Sequence, residues 1–99
     1  MLVIATYDVT ARRTEVFRSL LSKYLVHEQN SVFAGLMTKS DFKDMKKALS
    51  DASRPGNRFF VAIANNRHNI DVKRLEKNPG NGALTESKPD SIVEKSAVI

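Results

Sequence analysis

Apolar residues fall in short runs along the chain, and the spacing inside each run predicts an element. Leu2 to Tyr7 is apolar and rich in strand formers, so it predicts a strand. Leu2 and Ile4 alternate with Val3 and Tyr7, so both faces are apolar and burial on two sides is expected. Phe17, Leu20, Leu21, Tyr24 and Leu25 follow at offsets of 0, 3, 4, 7 and 8. That stripe predicts a helix from about Ala11 to Val26, with Thr10 or Thr14 as its cap. His27 to Met37 predicts a second strand, with Val32, Ala34 and Leu36 on one face and Ser31, Phe33, Gly35 and Met37 on the other.

Thr38 to Ser53 predicts a second helix, opened by a loose capping box of Thr38 and Asp41. Phe42, Met45, Leu49 and Ala52 form its inner stripe, and Lys39, Lys43, Lys46 and Lys47 its outer side. "SRPGN" breaks it. Arg58 to Ala64 predicts a third strand, apolar on both faces, and Ile70 to Glu76 a fourth. The stretch from Lys77 to Ser91 is polar with Gly and Pro, which predicts a loop or linker, and Ile92 to Ile99 predicts one more short strand. The first four strands and two helices fit a ferredoxin-like split β-α-β fold of the α+β class, with an additional C-terminal strand. The expected division is a domain over 1–77 and a C-terminal linker and strand over 78–99.

In such a fold the helices cover one face of the sheet and leave the other open. Here the strands are apolar on that face too, so something must cover it. With only 99 residues, a second copy is the economical cover and predicts a two-fold homodimer. The alternative is a C-terminal segment folded back within one chain, and both arrangements are compatible.

Composition changes this picture in two places. The formal net charge of +5 and pI near 9.8 favour a polyanionic partner. The absence of cysteine excludes disulfides and thiolate metal sites and fits a cytoplasmic protein. No basic leader precedes Asp8 and no run has the length of a membrane span, so no membrane partner is expected.

The chemistry concentrates at the end of the first strand. Asp8 is a lone carboxylate there, with Arg12 and Arg13 just beyond. One carboxylate is a poor Mg²⁺ site, but a two-fold axis near the strand end would bring a second Asp8 to share one ion. Arg12 and Arg13 would then hold phosphates. An acid after a strand also serves as a turn former or helix cap, and two arginines in a first turn also serve as a solvated face. The residues leave both readings open. His27 and His68 lack metal-ligand spacing, and Ser31 lacks a neighbouring base. Arg54, Arg58, Arg67, Lys73, Arg74 and Lys77 form a second basic set, in which Lys73 and Arg74 at a strand edge are best placed for phosphate.

The strand "LVIATYDV", the "RR" opening the helix and "QNSVFAGLMT" before the second helix resemble the family of small CRISPR-associated adaptation proteins. These are the ferredoxin-like dimer partners of the spacer integrase, often described as CRISPR-associated endoribonucleases. The resemblance covers roughly Met1 to Ile63. It implies a homodimer with facing sheets and one Mg²⁺ shared between two Asp8 carboxylates. It implies a catalytic cluster of Asp8 with Tyr7, Arg12, Arg13 and Phe33, while the charge pattern itself is what suggests nucleic-acid contacts from Arg12, Arg13, Arg67, Lys73, Arg74 and Lys77. The implied function is a nucleic-acid-binding bridge for integrase subunits in spacer acquisition, with Mg²⁺-dependent phosphodiesterase activity. The alternative is a metal-dependent endonuclease on RNA or duplex DNA as the main role, and a small-molecule sensor or toxin on the same fold is a third. Ser91 to Ile99 would pack on the partner's sheet or dock the integrase. Two departures stand out. The stretch from Asp8 to the arginines is short and carries no second acid, which weakens the case for an efficient nuclease, and the tail after Lys77 is long and polar.

Overall fold

The computed structural model describes residues 1–89. The order is β1 (Leu2–Asp8), a 3-10 turn (Ala11–Arg13), α1 (Thr14–Leu21), β2 (Val26–Gln29), β3 (Val32–Leu36), α2 (Lys39–Ala52), β4 (Arg58–Ala64), a second 3-10 turn (Arg67–Asn69), β5 (Arg74–Lys77) and β6 (Leu84–Ser87). The main sheet has the order β2-β3-β1-β4, with every neighbouring pair antiparallel. This is the ferredoxin-like α+β arrangement that the apolar pattern predicts.

Strand alternation divides the side chains between two faces. Val3, Ala5, Tyr7, Phe33 and Met37 pack under the helices with Phe17 and Leu21 of α1 and Met45 and Leu49 of α2. Leu2 and Ala34 form a smaller cluster on the other face, with Ile4, Ala64 and Val72 against them. The register puts Val32, Ala34 and Leu36 of β3 opposite Thr6, Ile4 and Leu2. The open face is therefore apolar as expected, and Phe33 and Met37 belong to the helix side. Val72 partly covers the open face from within the same chain. Phe60 stands there 73% exposed.

Four expectations are corrected. The predicted second strand is two strands joined at Asn30 and Ser31, with Asn30 at φ 40 and a register shift between His27 and Gln29. Asparagine tolerates that left-handed turn, so no glycine marks it. The first helix starts as a 3-10 turn and its α-helical part ends at Leu21, because Ser22 to Leu25 turn the chain into β2; neither Thr10 nor Thr14 caps it by its side chain. The predicted fourth strand shifts to β5 and leaves the main sheet. The stretch read as a loop contains β6, which pairs with β5 from Arg74↔Ser87 to Lys77↔Leu84. Asn78 closes this hairpin by accepting from the Gly80 amide at 2.7 Å. The Pro and Gly signals there mark a hairpin turn as readily as a linker. The hairpin spans the expected division at Lys77. The predicted strand over Ile92 to Ile99 lies outside the described residues.

The capping of α2 is as read: Thr38 Oγ1 accepts from the Asp41 amide at 3.0 Å. Its inner stripe is buried at Met45 and Leu49.

Candidate nucleic-acid and metal site

The site is the end of the sheet where β1 finishes and β4 begins. "SRPGN" builds it. The Asn57 amide donates to the Arg54 carbonyl at 3.0 Å, and Gly56 at φ 93 takes the third position of a type II turn. Only glycine adopts that angle without strain, so the turn fixes where β4 starts. Arg58 then lies directly opposite Asp8 in the antiparallel register. Arg58 Nη2 donates to Asp8 Oδ2 at 2.8 Å. The two side chains are 79% and 72% exposed. Both stand on the open, apolar face, one layer from Thr6 and Phe60.

Tyr7 is on the opposite face from Asp8, because neighbours along a strand alternate. Its ring lies 6.1 Å from both Phe17 and Phe33. Its hydroxyl is buried with no hydrogen-bond partner among the described residues. Burial pushes the phenol's pKa up; Arg18 pulls weakly the other way and Glu15 adds to the rise. Phe33 is fully buried, with the His27 ring stacked at 4.6 Å. The catalytic cluster expected from the resemblance is thus divided by the sheet: Asp8 is outside, while Tyr7 and Phe33 are in the core beneath it. Tyr7 and Phe33 pack in the core on the helix side of the sheet, beneath the strand end that carries Asp8.

The two arginines part in the same way. Arg13 Nη2 donates to the Ala52 carbonyl at the end of α2, and its guanidinium lies 5.4 Å over the Phe17 ring. A cation at a helix C-terminus meets unsatisfied carbonyls and the negative end of the dipole. Arg13 therefore ties the segment after Asp8 to the end of α2 through one guanidinium nitrogen, and its side chain is half-buried there. Arg12 is exposed and makes no hydrogen bond or ion pair among the described residues.

The remaining basic residues lie elsewhere. Arg67 opens the 3-10 turn beyond the far end of β4, about 20 Å of strand from Asp8. Lys73 is 3.3 Å from Glu86 and 3.9 Å from Asp71. Arg74 meets Glu28 at 2.6 Å. Lys77 ends β5. Lys73 and Arg74, expected at a phosphate-binding edge, are thus engaged by acids that join the hairpin to itself and to β2. The α2 lysines are exposed, as a solvated face would be.

Among the described residues no three His, Cys, Asp or Glu side chains gather as a metal cluster. Asp8 is a hard oxygen donor on an accessible strand end. It suits half of a site for a hard, mostly hydrated cation such as Mg²⁺, with the second carboxylate from another chain. Arg58 is the participant that sequence reasoning missed. Its signal was the equal length of β1 and β4, which pairs the last residue of one with the first of the other once the two are neighbours.

A family model for CRISPR associated protein Cas2 matches residues 1–69. A Haloferax volcanii protein named CRISPR-associated endoribonuclease Cas2 is 38% identical over 72% of this chain and 83% of its own. One of the same name from Methanocaldococcus jannaschii is 34% identical over 80% and 72% respectively. Among solved structures, a cas2 crystal structure superposes with a TM-score of 0.69 at 28% identity, covering 81% of this chain and 91% of that one. Streptococcus pyogenes Cas2 at pH 6.5 gives 0.61 at 25% identity, over 73% and 98%.

Proposed function

The chain belongs to the CRISPR-associated Cas2 family, and on that premise we propose that it acts in spacer acquisition as a homodimeric, nucleic-acid-binding bridge between integrase subunits. The observation that carries this reading is the composition of the Asp8 end. One carboxylate, already paired with Arg58, stands on the sheet face that carries exposed Phe60, and Arg12, with no partner among the described residues, follows in the next turn. Such an end favours holding phosphate over activating water. Two chains joined through their open faces would bring two such ends to one assembly, a positive surface for a duplex backbone. The test is duplex binding by the purified protein across a salt series. Sequence-independent affinity that falls steeply with salt is expected, and Asp8→Ala should keep it, because phosphate contacts release counterions. Salt-independent binding, or loss of binding in Asp8→Ala, overturns the reading.

The names of the relatives favour a second reading, metal-dependent endonuclease activity on RNA or duplex DNA. Here the Asp8 carboxylates of two chains would hold one Mg²⁺ and Arg12 would position the phosphodiester. When bound, the ion supplies polarisation of a phosphoryl oxygen and a more acidic water. A metal titration of cleavage on both nucleic acids separates the readings. Cleavage that needs the metal and vanishes in Asp8→Asn supports the enzyme, and cleavage that survives at full rate excludes Asp8 from it.

A further inference from the structure

Asp8 does not wait for a cation bare: the chain supplies one of its own. We propose that Arg58 is a built-in counter-ion that competes with a divalent cation for Asp8 and yields when a phosphate takes its guanidinium, so that phosphate and metal favour each other's binding. This inference rests on the reading that Asp8 holds the divalent ion.

Three observations carry it. First, the pair is set by the fold. Asp8 and Arg58 are register partners at the end of a seven-residue β1–β4 ladder, and the "SRPGN" turn fixes the start of β4. Second, the pair is exclusive. Among the described residues, Asp8 has no other cation and Arg58 no other acid within ion-pair distance. Third, it is releasable. Arg58 is 79% exposed and makes a single bond, to Asp8 Oδ2 at 2.8 Å.

The chemistry follows from these. Arginine stays charged at all accessible pH, so it cannot make room by losing its proton and must swing away. While it remains, it occupies one Asp8 oxygen and repels a second cation. A phosphate offers the guanidinium a two-pronged contact in place of the single bond to Asp8. Once Arg58 turns to phosphate, Asp8 Oδ2 is released beside phosphate oxygens. One or two carboxylates with phosphate oxygens and waters are the donors Mg²⁺ accepts. Coupling of this kind is reciprocal: if phosphate tightens the metal, the metal tightens phosphate by the same factor.

The experiment is Mn²⁺ binding to the full chain by calorimetry, for wild type, Arg58→Gln, Arg58→Lys and Asp8→Asn, each with and without a short DNA duplex. Ion uptake by the duplex itself is subtracted with Asp8→Asn. Without DNA, Arg58→Gln should bind Mn²⁺ about two- to fivefold more tightly than wild type, the range expected for removing an exposed ion pair. The duplex should tighten Mn²⁺ binding in wild type and much less in Arg58→Gln. Arg58→Lys should bind Mn²⁺ as weakly as wild type without DNA but gain less from the duplex, since an ammonium lacks the fork. Equal Mn²⁺ affinity in wild type and Arg58→Gln, or an equal duplex effect in both, overturns the inference while leaving Asp8 as the ligand. Undiminished binding in Asp8→Asn removes the metal reading beneath it, and the inference with it.

Discussion

Tyr7 carries a hydroxyl that the core does not use. It is 7% exposed, with no partner for the oxygen among the described residues. An unmade hydrogen bond in a buried place costs about 1–3 kcal/mol, and removing the group removes the cost. Tyr7→Phe should therefore stabilise the fold by about 1 kcal/mol in urea unfolding. The same burial fixes a pH response. The phenol's folded pKa is raised, so the native state keeps its proton where the unfolded chain has released it. Its contribution is intact below about pH 10 and is lost as pH rises through the folded value. Alkaline unfolding should move to higher pH in Tyr7→Phe; an unchanged midpoint would show that the phenol has found water. Glu15 has the opposite sign, since its bond to Arg18 lowers its pKa, but it is solvent-exposed and contributes little.

Elements, in contrast, stand or fall on their ends. The β2–β3 hairpin depends on Asn30 at φ 40. Asn30→Gly should leave stability within about 0.5 kcal/mol, whereas Asn30→Val should cost about 1–2 kcal/mol, the penalty of a branched residue in the left-handed region. Equal urea midpoints for the two variants would show the turn relaxing to another shape. This hairpin was also the hardest element to read from sequence. His27 to Ser31 is all polar and Val32 to Met37 is apolar on both faces, so no alternation marks where one strand ends, and Asn-Ser is a weaker turn signal than Asn-Gly. The helices were easier. Phe17 with Leu21, and Met45 with Leu49, repeat at four residues, and the stripe alone told which side is buried. The end of α1 was missed because Tyr24 and Leu25 continue the stripe in space after the helix has ended: the turn that bonds both amides back to Leu21 keeps them against the core.

For the whole molecule, the unsettled surface is the open sheet face. The radius of gyration is 15.1 Å, against about 12–13 Å for a compact domain of this length. Among the described residues the β5–β6 hairpin pairs with no other strand, and Val72 covers part of the face while Phe60 is 73% exposed. If two copies meet there, Phe60→Ser should shift sedimentation towards the single chain. Its thermal stability at high dilution should hardly change, because Phe60 adds little to the core of one subunit. A variant that sediments as wild type would locate self-association elsewhere. The site was half legible for the same reason. Asp8 announces itself as an acid at the end of an apolar strand, and alternation puts Tyr7 on the other side. Which side is wet, and that Arg58 comes to face Asp8, depend on a pairing between residues fifty positions apart. Arg13 in turn needed the end of α2 to be in place before its use could be seen.

The β4 strand has a last consequence. It is one of the two edge strands of the main sheet, seven residues long, with one charge and no proline. One row of its amides and carbonyls faces no strand among those described, and "FFVAIA" has the composition of segments that stack into cross-β fibrils. In concentrated solution the same edge offers a template for insoluble growth. Cold storage and dilute solutions would then matter more to the biochemist than any loss of fold.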